Sequence, residues 1–326
     1  MLTFEQILEK IDQLEEAKAL IAALQLRIFT VLGKKRLTIK EICRAAHTHA
    51  DGTEALLNAL TAMGALRKTG GRFANTAVTY KHFCETSKDY KKGMVMLRKE
   101  HRREWEKLMD TVRDGRDLAE YEEEDDPEFR RLFTYAMHER SEKIAPQVVK
   151  IVARKPVGRL LDLGCGPGSY SAAILRKDKN ASATLLDRAA AIAVARKITQ
   201  QVKGRCRFLQ GDLFNTPFGE NHDTVFYSNI LHIYNEKENE TLLKKINRAL
   251  VPGGRLIMAD LFLKDSRTKP YDAAMFSLTM LLFTATGRTY TFSETEVLLR
   301  RTGFHRFKRF DLGRGNAIIE SVKKDD

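Results

Sequence analysis

Residues Leu160-Leu161-Asp162-Leu163-Gly164-Cys165-Gly166-Pro167-Gly168-Ser169 constrain this chain more than any other stretch. Leu160, Leu161 and Leu163 make the short apolar run that fills a central parallel strand. Gly164, Gly166 and Gly168 follow in a turn without side chains, where the backbone can approach a bound molecule. Ala172, Ala173, Ile174 and Leu175 then read as a helix whose free N-terminal N–H groups point at that molecule. Strand, bare turn and helix in this order predict an α/β sheet with a ligand at the turn.

From residue 159 onward the signals alternate as such a sheet requires. Strand candidates are 159–163, 182–186, 205–209, 223–228 and 255–260, with helices centred on 168–177, 189–201 and 236–250. Pro252-Gly253-Gly254-Arg255, with the strand ending at Asp260, completes the series. After Gly303, two pieces at 304–311 and 315–322 read as a closing antiparallel hairpin. The N-terminal part has a different pattern. Residues 3–33 carry one helical periodicity ending at Gly33. Thr38-Ile39-Lys40-Glu41 is a capping box for a second helix, and a third passes through Leu56, Leu57, Leu60 and Met63. Leu66 to Phe73 is a hairpin about Gly70-Gly71. Three helices and a hairpin are the order of a winged helix. The expected division is a winged-helix domain at 1–105, a helical connector at 106–150 and an α/β domain at 151–326. Residues 81–128 are charge-dense, and the acidic run Glu122–Asp126 ahead of Pro127 marks a mobile connector. A helix resumes at Phe129 and runs towards Val148.

The 56 basic and 43 acidic residues leave a formal charge of +13, which invites a nucleic-acid partner. The basic residues are spread along the chain in mixed-sign runs such as Lys99-Glu100-His101-Arg102-Arg103-Glu104, as on a solvated helix face. The third helix, where a winged helix would read DNA, has no arginine or lysine between Thr53 and Met63. Both observations argue against nucleic acid. The apolar first helix is better spent on a second subunit, giving a homodimer. No uninterrupted apolar run would span a bilayer. The first residues enter a charged amphipathic helix rather than a secretory signal. The four scattered cysteines have neither metal nor disulfide spacing. A cytoplasmic protein without a metal is expected.

Three further motifs fall at strand ends, where open α/β sheets bind ligands. Asp187 stands about twenty residues beyond the glycine loop, where a carboxylate can accept both hydroxyls of a ribose; capping the next helix is its plainer use. Asp212 can accept from an adenine amino group while Leu213 or Phe214 packs on the ring, or it can simply begin a surface turn. His232 lies between the fourth strand and its helix. Lone histidines are more often structural. Imidazole, however, titrates at about pH 6.5 when unperturbed, which suits a base that deprotonates a hydroxyl.

The glycines read G-x-G-x-G, whereas the dinucleotide fingerprint is G-x-G-x-x-G. Preceded by Leu161-Asp162-Leu163, they resemble motif I of class I S-adenosylmethionine (SAM) methyltransferases. Asn229-Ile230-Leu231-His232-Ile233-Tyr234-Asn235-Glu236 is similar to L-H-D-W-[SN]-D-E of the plant-and-bacterial small-molecule O-methyltransferase family. The stretch 160–304 resembles that family, and the N-terminal region resembles its dimerisation domain. The resemblance implies a Rossmann-like doubly wound sheet with an antiparallel last strand, and SAM as cofactor with S-adenosylhomocysteine as product. It assigns the cofactor to Asp162, Gly164, Gly166, Gly168, Asp187, Arg188, Asp212, Leu213, Phe214 and Ser228. It makes His232 the base, with Asp260 where the plant enzymes have the first of two flanking glutamates. A hydrophobic small-molecule acceptor would lie against Phe133, Met137 and Arg140, and against Met275, Phe276, Thr279, Met280 and Phe283. Such Met and Phe stripes also serve as plain core. There are departures. Ile233-Tyr234 replaces Asp-Trp, Thr289 replaces the second glutamate, and Ser228 stands where some members have lysine. Methylation at carbon or nitrogen, methylation of RNA, and SAM binding without methyl transfer stay open.

Overall fold

The computed structural model describes residues 1–100, 103–118 and 126–324. The chain forms two compact units, Met1–Arg102 and Arg103–Asp326.

The first unit opens with α1 (Phe4–Gln25), whose N-terminus is closed by reciprocal bonds between Thr3 and Gln6. The single helix expected over 3–33 breaks at Arg27, which has a left-handed φ of 55°, and α2 (Ile28–Leu32) starts afresh. One left-handed residue redirects the chain without disturbing the apolar spacing, so the sequence does not register it. The two helices spend their apolar residues differently. Ile28, Phe29 and Leu32 are buried, whereas Phe4, Ile7, Leu8, Ile11 and Leu14 are exposed. There follow β1 (Leu37–Thr38), α3 (Ile39–Ala46), α4 (Ala50–Ala62), β2 (Leu66–Thr69), β3 (Arg72–Asn75), α5 (Ala77–Phe83) and α6 (Lys92–Glu100). The strands pair antiparallel in the order β1-β3-β2. Strand β1 has two residues, too few for a periodic signal. Ile42, Leu57, Leu60, Leu66 and Phe73 join the α2 residues in one core.

In the second unit, the charge-dense stretch is helical where it is described. It has a 3-10 turn at Arg103–Lys107 and then α7 (Leu108–Asp114). The acidic run from Glu122 to Asp125 lies outside the described residues, and Asp126 caps α8 (Pro127–Ser141). The helix expected to continue to Val148 is interrupted, and α9 (Ala145–Val152) begins anew with Pro146 in its first turn, where a missing N–H costs nothing.

The sheet domain runs β4 (Arg159–Leu163), α10 (Ser169–Lys177), β5 (Ser182–Asp187), α11 (Ala189–Ile198), β6 (Cys206–Gln210), β7 (His222–Ser228), α12 (Glu236–Ala249) and β8 (Leu250–Leu263). It continues with α13 (Tyr271–Phe283), β9 (Tyr290–Thr291), α14 (Phe292–Arg301), β10 (Phe304–Gly313) and β11 (Asn316–Lys323). The strand order is β10-β11-β8-β7-β4-β5-β6, with β9 beside β8. Strands β4 to β8 pair in parallel, and β11 lies antiparallel between β8 and β10. Beyond β4 the chain builds outward to β5 and β6, then returns to add β7 and β8 on the opposite side. That reversal puts a crevice at the carboxyl ends of β4 and β7. Side chains alternate between two apolar layers: Leu161, Val225, Tyr227 and Met258 on one face, Leu160, Leu185, Phe226 and Ile257 on the other. Burial on both faces explains the near-continuous apolar strands.

Two boundaries differ from expectation. Strand β8 takes in Pro252-Gly253-Gly254, and a register shift between His222 and Thr224 absorbs the irregularity. Helix α11 ends at Ile198, and a 3-10 turn, Gln200–Arg205, follows it. Among the described residues, no helix is long and apolar enough to cross a membrane.

Candidate functional site

The glycine loop leaves β4 at Gly164. Its φ is 62°, which favours glycine, and a Cβ there would sit 2.3 Å from Ile230 Cδ1 and push that side chain aside. Gly168, also left-handed, begins α10. The loop is tied to β5 through one carboxylate. The N–H of Gly166 donates to Asp187 Oδ2 at 2.7 Å, and that of Arg188 donates to Oδ1 at 2.7 Å. Each oxygen keeps lone-pair capacity for a further donor. Burial raises the Asp187 pKa.

Asp162, on β4, is buried, and its Oδ2 accepts from Ser171 Oγ at 2.5 Å. Burial pushes its pKa up to about 7; the Ser171 bond opposes the shift and the charge of Asp187 adds to it. The folded value therefore lies above the unfolded one. The stability this group contributes is fully present below about pH 4 and is lost as the pH rises through about 7. Asp162→Asn keeps the neutral state at every pH. Its melting midpoint should gain on that of the unchanged protein from about pH 4 to pH 7 and hold a constant lead above, worth a few kcal/mol. Parallel melting curves across that range would refute the raised value.

Asp212 follows β6 and caps its own turn: Oδ1 accepts from the N–H groups of Phe214 and Asn215 at 2.8 and 2.9 Å. Bonds from the Asn215 backbone foremost hold its pKa below the usual carboxylate range. Leu213 points into the core, whereas Phe214 is half-buried and meets Tyr234 edge-on with ring centres 5.1 Å apart. Lys245 of α12 gathers the turn by donating to the carbonyls of Leu213, Phe214 and Thr216. Ser228 is buried at the end of β7, and its Oγ accepts from Asn229 Nδ2 at 2.9 Å. Arg188 is exposed at the start of α11.

His232 sits in a 3-10 turn, Leu231–Ile233, after β7. Its Nδ1 is 2.6 Å from Asp260 Oδ1, an oxygen that also accepts from the Leu261 N–H at 2.7 Å. A carboxylate at this position can only accept, so it favours the tautomer with the hydrogen on Nδ1 and leaves the lone pair on Nε2. The Phe276 ring of α13 meets the imidazole edge-on at 4.8 Å. Asp260 Oδ2 and Thr289 Oγ1 are buried without a hydrogen-bond partner among the described residues.

The acceptor candidates divide. On α13, Met280 is buried, Thr279 and Phe283 are half-buried, and Met275 is exposed. On α8, Phe133 and Arg140 are exposed and Met137 is half-buried. Helix α8 packs on α10 and α11, and His138 Nδ1 meets Ser169 Oγ at 2.8 Å. Its candidates are thus grouped with the glycine loop, whereas those of α13 are grouped with His232. Sequence reasoning missed Tyr227, Asn239 and Tyr290, which bond to one another behind the His232 turn. It also missed Arg116, which donates to the carbonyls of Leu281 and Gly287.

These residues fit SAM. Two neighbouring carboxylates with raised pKa values are relieved by a positively charged ligand, and Asp187 retains acceptor capacity for a ribose diol. Among the described residues no group of three or more His, Cys, Asp or Glu could hold a metal.

Comparison with known proteins places the chain in a family. Residues 105–305 match the O-methyltransferase domain family, and residues 8–82 match the O-methyltransferase dimerisation domain family. A 3-hydroxy-5-methyl-1-naphthoate 3-O-methyltransferase of Streptomyces sahachiroi is 30% identical over 94% of this chain and 92% of its own length. The tetracenomycin polyketide synthesis 8-O-methyltransferase of Streptomyces glaucescens is 27% identical over 88% of this chain and 87% of its own. Human N-acetylserotonin methyltransferase, solved in complex with SAM, superposes with a TM-score of 0.84 at 22% identity, covering 99% of this chain and 98% of that one.

Proposed function

The chain belongs to the O-methyltransferase family, and on that premise we propose that it methylates a hydroxyl of a hydrophobic, flat aromatic small molecule of the secondary-metabolite type, with His232 as general base. The observation that carries this reading is the His232–Asp260 pair at the crevice, 2.6 Å between Nδ1 and Oδ1. SAM, when bound, supplies an electrophilic methyl group on its sulfonium. The protein's task is to hold the acceptor hydroxyl in line and to take its proton on Nε2 as the oxygen attacks. Asp260 holds the ring in the required tautomer and balances the imidazolium that forms. Phe276, Thr279, Met280 and Phe283 of α13 supply an apolar wall for the acceptor, with Met275, Phe133, Met137 and Arg140 at its margin. The naphthoate and polyketide acceptors named for the relatives support an aromatic hydroxyl.

Asp187 receives the ribose, Asp212 and Phe214 the adenine, with Leu213 beneath them in the core. Asp162, Gly164, Gly166, Gly168, Arg188 and Ser228 complete the cofactor site. Because the sulfonium favours ionised Asp162, SAM affinity should strengthen with pH up to about 7 and then level off. S-adenosylhomocysteine, without that charge, should give a shallower curve. Calorimetric titrations in which the two curves run parallel would rule out the electrostatic role.

The element order of the first unit supports a winged helix, and the exposed row Phe4, Ile7, Leu8, Ile11 and Leu14 supports a homodimer built on α1. The four free cysteines fit a reducing cytoplasm. The test is transfer of labelled methyl from SAM to fractionated extract of the source cells and to a panel of hydroxylated aromatics. Label in solvent-extractable ethers is expected. Label in RNA, or on carbon or nitrogen, would overturn the reading.

A further inference from the structure

The 3-10 turn carrying His232 has little backbone ladder of its own, yet the carbonyls on either side of the histidine are held by two buried side chains, one of them braced by a third. Asn239 on α12 is fully buried. Its Nδ2 lies 2.9 Å from the carbonyl of Leu231, just before the histidine, and 2.9 Å from that of Tyr234, two residues after it. Its Oδ1 accepts from the hydroxyl of Tyr227 on β7 at 3.0 Å. Tyr290 on β9 donates its hydroxyl to the same Tyr234 carbonyl at 2.7 Å. Tyr227 and Tyr290 are as deeply buried as the amide. Two buried polar side chains, Asn239 and Tyr290, thus bond the backbone flanking one residue, and a third, Tyr227, holds the Asn239 amide in place.

Satisfying buried carbonyls is reason enough for one hydrogen bond. Here the amide spans the turn, with one bond on each side of His232, and each end of the network is anchored on a strand. The anchoring strands are neighbours of β8, which carries Asp260. The imidazole and its carboxylate come from different segments, and a contact of 2.6 Å between them survives only if both are fixed in one frame.

We propose that Asn239, Tyr290 and Tyr227 are positioning residues that set the His232 imidazole against Asp260 and the acceptor. The consequence for turnover rests on His232 being the base; the consequence for geometry does not. Tyr290→Phe removes one hydroxyl and keeps the ring, so the fold should hold. It should lower kcat about three- to tenfold with the KM for SAM unchanged. Asn239→Leu, close in volume, should cost about 10²-fold. In a His232→Ala background neither change should lower the residual rate further, because the residue through which they act is gone. Where His232→Ala is itself slow, an equal loss in both backgrounds, a loss confined to KM, or an unchanged kcat would each overturn the proposal. Independently of the rate, the Nδ1–H proton resonance of His232, identified by its absence from His232→Ala, should shift or broaden in Tyr290→Phe. An unmoved resonance would refute the positioning role even if the base assignment stands. A moved resonance with an active His232→Ala enzyme would keep the clamp and discard the base.

Discussion

Replacing His232 with alanine is expected to lower kcat by about 10² to 10⁴ while SAM affinity stays near its original value. Both halves follow from the geometry. The ring's Nδ1 is paired with Asp260 Oδ1 and, among the described residues, the ring makes no bond to the glycine loop, so on the proposed reading its removal takes away the proton acceptor and leaves the cofactor cradle intact. Two controls separate base catalysis from packing. Asp260→Asn should also be slow, since a neutral amide in place of the carboxylate cannot balance the imidazolium that forms as His232 takes the proton. An acceptor whose hydroxyl is already ionised at the assay pH should recover much of the His232→Ala rate. Full activity without the histidine would leave proximity alone as the source of catalysis.

Gly287→Ala is expected to cost about 10² in kcat together with some stability. The glycine lies against the turn that carries the histidine. A Cβ there would stand 2.3 Å from the carbonyl oxygen of His232 and 2.6 Å from that of Ile233, both backbone atoms that cannot swing aside. Nor can the segment withdraw easily. The Gly287 N–H is held by Thr284 Oγ1, its carbonyl accepts from Arg116 at 2.6 Å, and the neighbouring Thr286 is bonded to Asn235 and Glu238 of the next helix's cap. One methyl group must therefore displace the His232 turn or break these bonds. Near-normal kcat and melting midpoint in Gly287→Ala would mean that the segment yields freely and does not position the turn.

The parallel sheet was legible because burial on both faces writes each strand as an apolar run, and the bare glycines mark where the first one stops. The turn that carries His232 was legible for the same reason: it follows directly from β7. The break at Arg27 was not, because one left-handed residue leaves the apolar spacing unchanged, and β1 was too short to have a pattern. The cluster behind the histidine leaves a trace in the sequence. In α12, Leu242, Leu243 and Ile246 continue an apolar stripe that begins at Asn239, so a polar residue occupies a core position. Tyr290 and Arg116 gave no such trace, since their partners, backbone carbonyls and for Tyr290 also the Asn239 amide, are distant in sequence. The Met and Phe stripe of α13 was ambiguous by nature, and only the Phe276 ring against the imidazole links it to the chemistry.

The place of β11 in the sheet has a consequence for how the molecule comes into being. Residues 316–323 lie inside the sheet, bonded to β8 on one side and β10 on the other. While the chain emerges from the ribosome, the whole parallel half of the sheet can assemble with β8 as its open border, a row of unmatched donors and acceptors able to recruit another chain. Two nascent copies meeting there would pair border to border before either had its closing strand. The arrival of the last described strand therefore covers the β8 border and moves that edge of the sheet outward to β10.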